Sequence, residues 1–360
     1  MDDVPIESIA PLTDDGPGEE RPAASPGGVV LSVRDLCVTF PTDDGPVKAV
    51  DGATFDVIAN ETVGIVGESG SGKTVTAMAI LGLLPSSARI TGEIHFGGMD
   101  LRTTPEKELE QIRGKRIAMI FQDALAALNP VYTVGRQIAE AIRVHDGSSS
   151  KDAVRDRCIE LLDLVGIPNA SDRVDQYPHE YSGGMRQRAM IAMSIANDPE
   201  ILIADEPTTT LDVTIQAQVL EVLERIQDRT RSAIILITHD LGVVAGVADR
   251  VTVMYAGRQV ETGTVDEIFY DPRHAYTAGL LASLPRLDRR VSKHDRLHRI
   301  DGQPPSLIHI PRGCAFNPRC PVREVPGRCD TDRPELVELT PGHRSACFFP
   351  ERVVESRTES

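Results

Sequence analysis

From residue 29 onward, apolar and polar positions along the chain follow two periods in turn. Val29-Val30-Leu31-Ser32-Val33 and Leu36-Cys37-Val38-Thr39-Phe40 predict two strands, and a Pro/Asp/Gly turn over 41–46 separates them from Val47-Lys48-Ala49-Val50. Thr54-Phe55-Asp56-Val57-Ile58 alternates as another strand, and Val63-Gly64-Ile65-Val66 is a fully apolar run leading into a helix-like stretch over 75–84. Ile117-Ala118-Met119-Ile120-Phe121, Ile201-Leu202-Ile203-Ala204 and Ala233-Ile234-Ile235-Leu236-Ile237-Thr238 predict further buried strands. Residues 130 to about 180 read as helical. Val154, Cys158, Leu161, Leu162 and Val165 recur there at helix spacing, with Gly166 and Pro168 as the stop. Ser182 is a predicted N-cap for a helix to about residue 196, and 213–229 is amphipathic through Ile215, Val219, Val222, Leu223 and Ile226. Residues 250–255 and 259–261 close a hairpin over the turn Ala256-Gly257-Arg258. Buried strands alternating with helices predict an α/β core into which a helical subdomain, about 130–196, is inserted. Residues 1–28, rich in Pro, Gly, Asp and Glu, predict a disordered leader.

Composition narrows the partners. Asp and Glu number 54 against 38 Lys and Arg, a formal charge of −16, which disfavours nucleic acid because nonspecific binding needs a basic footprint. No apolar run approaches the ~20 residues of a membrane span, and the acidic N-terminus has no signal-peptide pattern. The expected location is the cytosol, where six cysteines point away from disulfides.

The chemistry is concentrated at predicted strand ends. Gly67-Glu68-Ser69-Gly70-Ser71-Gly72-Lys73-Thr74 lies between an apolar strand and a helix and matches the phosphate-loop pattern G-x-x-x-x-G-K-[ST]. Glycines let successive N–H groups curl around an anion, and the helix N-terminus adds partial positive charge. Lys73 reaches β- and γ-phosphates, and the Thr74 hydroxyl is a Mg²⁺ ligand in such loops. Asp205 and Glu206 close an apolar strand; beside a phosphate loop, the first holds Mg²⁺ and the second is placed to polarise water as general base. Gln122 and His239 close two other strands. Either alone is an ordinary turn or surface residue, but α/β sheets bind ligands at this edge. Ser182-Gly183-Gly184 opens a helix and offers a second, weaker anion site.

In this order, the phosphate loop, Gln122, Ser182-Gly183-Gly184-Met185-Arg186-Gln187, the Asp205-Glu206 strand, Leu211-Asp212 and His239 resemble the ATP-binding subunits of ABC transporters over about residues 29–270. The resemblance implies that Phe40, otherwise a packing residue, stacks on adenine. It further implies that Ser69, Gly70, Ser71, Gly72, Lys73 and Thr74 bind phosphates, and that Thr74, Gln122 and Asp205 ligate Mg²⁺. Glu206 is then the catalytic base, with His239 on the γ-phosphate. Ser182, Gly183, Gly184 and Gln187 belong to the signature loop, which in this family completes the ATP site of the opposite subunit in a head-to-tail dimer. Two departures stand out: Tyr181 where Leu is commoner, expected to be a packing variation, and Thr-Thr-Thr-Leu before Asp212.

Asp271-Pro272-Arg273-His274-Ala275-Tyr276-Thr277 and Asp301-Gly302-Gln303-Pro304-Pro305 are similar to the C-terminal extension of dipeptide and oligopeptide permease ATPases, with Ala275 in place of Pro. Cys314, Cys320, Cys329 and Cys347 follow within 34 residues, separated by five, eight and seventeen residues, amid Pro and Gly. That composition suits a small domain folded around a metal. Some peptide-permease ATPases resemble this stretch and carry a 4Fe-4S cluster there; zinc, with His343 as a candidate ligand, and free thiols or a disulfide are the alternatives. Cys37 and Cys158 fall on predicted core faces.

The expected organisation is a leader (1–28), a P-loop ABC nucleotide-binding domain (29–270), a Cys-rich extension (271–350) and a short tail (351–360). The expected function is ATP hydrolysis driving a peptide importer at the cytoplasmic face of the membrane. Its expected partners are a second, homologous ATPase subunit, two transmembrane permease subunits and, indirectly, an extracytoplasmic peptide-binding protein. A nickel or other small-solute importer is the alternative, and a soluble ABC ATPase acting on ribosomes or DNA is a more distant one.

Overall fold

A computed structural model of the chain describes residues 27–123, 127–209, 212–284 and 299–358. Nearly all of the expected leader therefore lies outside the described residues, as do Thr210 and Leu211. The four strands expected over 29–58 are two long ones, β1 (Val29–Phe40) and β2 (Val47–Ile58). In β1 the break anticipated at Arg34-Asp35 is absorbed as a bulge. Register slips between Val33 and Leu36, and Asp35 takes φ 46° with its N–H on Thr54 Oγ1 at 2.9 Å. β1 pairs antiparallel with β2 and with β4 (Arg89–Phe96), which pairs with β5 (Met99–Asp100), giving the order β2-β1-β4-β5.

The second sheet carries the site. Its parallel centre is β9 (Arg250–Tyr255), β3 (Thr62–Val66), β8 (Ala233–Thr238), β7 (Ile201–Asp205) and β6 (Ile117–Ile120), side by side in that order. Every residue of β3, β6, β7 and β8 is buried, as expected of a parallel sheet covered on both faces. Period-two alternation divides them between two cores. Ile117, Met119, Ile201, Ile203, Ile235 and Ile237 face α1 (Lys73–Ile80) and the antiparallel sheet. Ala118, Ile120, Leu202, Ala204, Ile234 and Leu236 face the helices that follow β6.

Those helices are shorter than the periodicity suggests. Residues 130–180 divide into α3 (Val134–Arg143), α4 (Lys151–Leu164) and the single turn α5 (Ala170–Arg173), because Thr133 and Ser150 each cap a new helix. The stop at Gly166 is where the sequence puts it, at φ 74°. α6 (Gly183–Ser194) and α7 (Val213–Thr230) complete this layer, their N-termini capped by Ser182 and Asp212.

β10 (Arg258–Thr264) turns back from β9 through Ala256 and Gly257, both at positive φ as a tight hairpin requires. α8 (Leu241–Ala245) precedes β9, and α9 (Val265–Tyr270) and α10 (Ala275–Ala282) follow β10. The C-terminal region joins the core sheet: β12 (His343–Ser345) pairs with β10, and β11 (Val337–Thr340) with β12. An aromatic triad seals the joint, with ring centroids 4.6 Å apart for Tyr255–Tyr276, 5.2 Å for Tyr255–Phe316 and 5.4 Å for Tyr276–Phe316. After the single turn α11 (Arg328–Thr331), the expected tail carries a helix, α12 (Pro350–Thr358), whose Val353 seats in the same apolar cluster.

Candidate functional site

The parallel register brings four strand ends to one edge. Val66 pairs with Thr238, Asp205 with Ile237 and Ile120 with Ala204, so the residues that follow each strand emerge together. They surround a cleft of about 560 Å³ lined by Ser69, Gly70, Gly72, Lys73, Thr74, Gln122, Glu206 and His239.

The loop after β3 has the shape an anion needs. At Gly67 (φ 155°) an added Cβ would lie 2.2 Å from the Met254 carbonyl oxygen, and at Gly72 (φ 102°) 2.4 Å from that of Ala49, so neither position admits a side chain. Lys73 is buried, and its Nζ donates to the carbonyls of Gly67 (2.7 Å) and Glu68 (3.0 Å), poised beside the loop's concave face. Burial pushes its ammonium below the ordinary lysine value, opposed by the carboxylates of Glu206, Asp205 and Glu68. Ser71 Oγ is buried without a hydrogen-bond partner, and Ser71 is not among the cleft's lining residues.

Asp205, buried, accepts a 3.1 Å hydrogen bond from Thr74 Oγ1; burial pushes its carboxyl above the usual range against that bond. Glu206 follows at φ 46°, a left-handed backbone that a non-glycine residue adopts at a cost. Its N–H donates to Ile237 O (2.8 Å), and Oε2 accepts from Gln122 Nε2 and Thr209 Oγ1, both at 2.9 Å. His239 Nδ1 stands 3.5 Å from its Oε1. Carboxylate, amide and hydroxyl oxygens are the hard donors Mg²⁺ prefers, so Thr74, Asp205 and Gln122 fit that ion in type and place.

The signature residues do not line the cleft. Ser182 and Gly183 are exposed at the start of α6, and Ser182 Oγ accepts from Met185 N at 3.3 Å. Gln187 is buried, and its amide donates to Pro207 O at 2.7 Å, tying α6 to the loop that carries Glu206. Tyr181 is a packing residue, buried with its hydroxyl on Arg173 O at 3.0 Å. Phe40 is half-buried against the antiparallel sheet's core and is not among the cleft's lining residues. The apolar lining comes from Ala49, Val75 and Leu307, and Leu307 belongs to the C-terminal region. Nothing in local sequence pattern points to Leu307, since it arrives only through tertiary packing.

Cys314, Cys320, Cys329 and Cys347 line one small cavity together with Phe316, Val322, Phe348 and Phe349. None is in a disulfide, and burial pushes the thiols of Cys320 and Cys347 up to about 11 and about 12. Among the described residues, no group of three or more His, Cys, Asp or Glu side chains is arranged to hold a metal ion. The zinc alternative with His343 is corrected by the structure: His343 is buried with Nε2 2.9 Å from Glu261 Oε1, away from the thiols. Cys158 is a core residue as expected, buried with Sγ near Gly135 O, whereas Cys37 is half-buried on β1.

Among the described residues no helix is long and apolar enough to cross a membrane. Residues 50–209 match the ABC transporter family, and residues 260–326 match the oligopeptide/dipeptide transporter C-terminal region. The chain is 52% identical over 324 residues to the oligopeptide transport ATP-binding protein OppD of Mycobacterium tuberculosis, covering 90% of this chain and 52% of that one. It thus spans about half the length of its mycobacterial relatives. To OppD of Salmonella typhimurium it is 49% identical over 329 residues, covering 91% of this chain and 96% of that one. A dimeric ATP-binding cassette solved in a post-hydrolysis state with ADP and Pi shares the fold, with TM-score 0.59 and 24% identity over 65% of this chain and 98% of that one.

Proposed function

This chain belongs to the ABC transporter family, in its branch of oligopeptide and dipeptide transport ATP-binding proteins, and from that premise we propose that it is the ATP-hydrolysing subunit of a peptide importer. The observation that carries this reading is the alignment of four strand ends that gathers Lys73, Thr74, Gln122, Glu206 and His239 around one cleft.

In this reading Lys73 leaves the loop carbonyls and pairs with the β- and γ-phosphates, while the N–H groups of the loop and of α1 receive their oxygens. Mg²⁺ held by Thr74, Asp205 and Gln122 would offset negative charge on the leaving phosphate. Glu206 accepts a proton from water as its oxygen bonds to the γ-phosphorus, and the bond to the bridging oxygen of ADP breaks. His239 orients that water beside Glu206. The exposed Ser182 and Gly183 serve the ATP site of a second, homologous subunit in a head-to-tail dimer, and their position outside their own cleft supports this. The ATPase pair would bind two transmembrane permease subunits from the cytoplasmic face and act on peptide delivered by an extracytoplasmic binding protein.

The four cysteines are proposed to hold a 4Fe-4S cluster as a structural staple. Four unpaired thiols converging on one cavity support it. Anaerobically purified protein should show broad absorbance near 400 nm and about four irons per chain; a colourless protein with one zinc overturns the cluster. For the nucleotide site, Lys73→Ala should abolish binding of a fluorescent ATP analogue. Equal binding by wild type and Lys73→Ala would refute the assignment.

A further inference from the structure

Glu68 is the one carboxylate within the phosphate loop, residues 67–74. It lines the cleft, and its negative field reaches Lys73. Left alone, a carboxylate there would repel a polyphosphate. It is held from outside the core. Arg319, whose side chain is only 5% exposed, makes a two-pronged ion pair with it: Nη1 to Oε2 at 2.7 Å and Nη2 to Oε1 at 2.9 Å. Arg319 is itself fixed by Nε on Asp301 O (3.0 Å) and Nη1 on Tyr255 OH (3.3 Å). The Glu68 N–H donates to Tyr276 OH at 2.8 Å, so both the backbone and the side chain of this loop residue are gripped by groups of the C-terminal region.

We propose that Arg319 is a positioning residue for nucleotide: by pairing with Glu68 it neutralises the loop's own carboxylate and fixes the loop's entry, so that the C-terminal region sets the affinity of the phosphate site. Arg319 is not among the cleft's lining residues and acts only through Glu68. It ends the short turn Asn317–Arg319, directly before Cys320, so whatever orders the thiol cavity also orders this ion pair. The proposal rests on the phosphate-loop reading above and adds to it a residue some 250 positions away in sequence.

The test is a double-mutant cycle in the full chain, with affinity for Mg-ATP measured by calorimetry and melting temperature recorded alongside. R319A should bind on the order of 10-fold more weakly, within the range of coupling between linked sites. E68Q supplies the second side of the cycle, and E68Q/R319A should recover to roughly 3-fold of wild type, because the repelling charge has gone. A purely structural loss would not be rescued by a second substitution. Unchanged affinity in R319A, or a double mutant as weak as R319A, overturns the proposal. Wild type that binds ATP no better than Lys73→Ala instead refutes the nucleotide site, and this proposal falls with it.

Discussion

Replacing Glu206 by Gln separates chemistry from binding because of what surrounds the side chain. Oε2 accepts from Gln122 Nε2 and Thr209 Oγ1, so a carboxamide oxygen in that position keeps both bonds. The new amide nitrogen then points at His239 Nδ1, which can accept from it in the neutral ring. The backbone keeps its φ of 46° and its bond to Ile237 O. Stability should therefore change by less than about 1 kcal/mol. Only the basic oxygen is lost, and a positioned general base contributes roughly 10²–10⁴ in rate, which is about 2.7–5.4 kcal/mol of barrier. Phosphate release under saturating Mg-ATP should fall by that factor while equilibrium ATP affinity stays within about 2-fold of wild type. A Glu206→Gln protein that hydrolyses ATP at the wild-type rate would refute the base assignment. One that loses ATP affinity and hydrolysis together would refute the claim that the surrounding bonds survive.

Gly67→Ala should abolish ATP-analogue binding, since its Cβ would meet Met254 O at 2.2 Å on a backbone that already strains a side chain by roughly 1–3 kcal/mol. Two buried histidines should give the C-terminal region opposite pH limbs, readable as melting temperature across a pH series. The hydrogen bond that His343 donates to the Glu261 carboxylate raises the His343 value above the ordinary 6.5, so that pair's stabilisation is complete below 6.5 and is lost as pH rises through the raised value. Burial lowers His274 to about 4, so its contribution is complete above 6.5 and is lost as pH falls toward 4. Stability should peak near the ordinary histidine value, with H343Q removing the alkaline limb and H274Q the acid one. Cys320→Ala should make residues 299–358 more sensitive to protease while leaving turnover at saturating ATP nearly unchanged; unaltered protease resistance would sink the staple.

The edge of the sheet that forms the cleft is legible because its chemistry is local. A buried parallel strand is a continuous apolar run, and the residue after it lands at the sheet's ligand-binding edge whatever the partner strands are. Lys73, Asp205, Glu206 and His239 could therefore be assigned to one place from strand ends alone. Bulges and caps were harder. Asp35 adopts a left-handed conformation that keeps β1 continuous, and Thr133 and Ser150 restart helices within one apolar periodicity. Gln187 reads as part of the signature loop, and only the fold shows that its amide is spent on Pro207. Leu307 and Arg319 carry no pattern at all, and Tyr276 is read only as part of the extension motif, because what each does for the loop lies in contacts made across more than 200 residues.

The joint between core and C-terminal region explains why those contacts are dependable. Glu261, fully buried on β10, accepts from the N–H groups of Arg273 (2.5 Å) and His274 (3.0 Å) and pairs with His343. One carboxylate thus fixes the start of α10 and the position of β12 together. A buried charge satisfied by three donors is costly to break, about 3–5 kcal/mol when one partner of such a pair is removed, so the geometry is held firmly. Tyr276, two residues into α10, inherits that placement and delivers its hydroxyl to the Glu68 N–H. Arg319 reaches the same residue from the thiol-lined side. The phosphate loop is thereby anchored at Glu68 by two groups, the Tyr276 hydroxyl and the Arg319 guanidinium, which also meet each other through Tyr255. Loss of either should loosen the loop only partly, whereas loss of both should cost nucleotide affinity more than the sum of the two, since a residue gripped twice is released only when both grips fail.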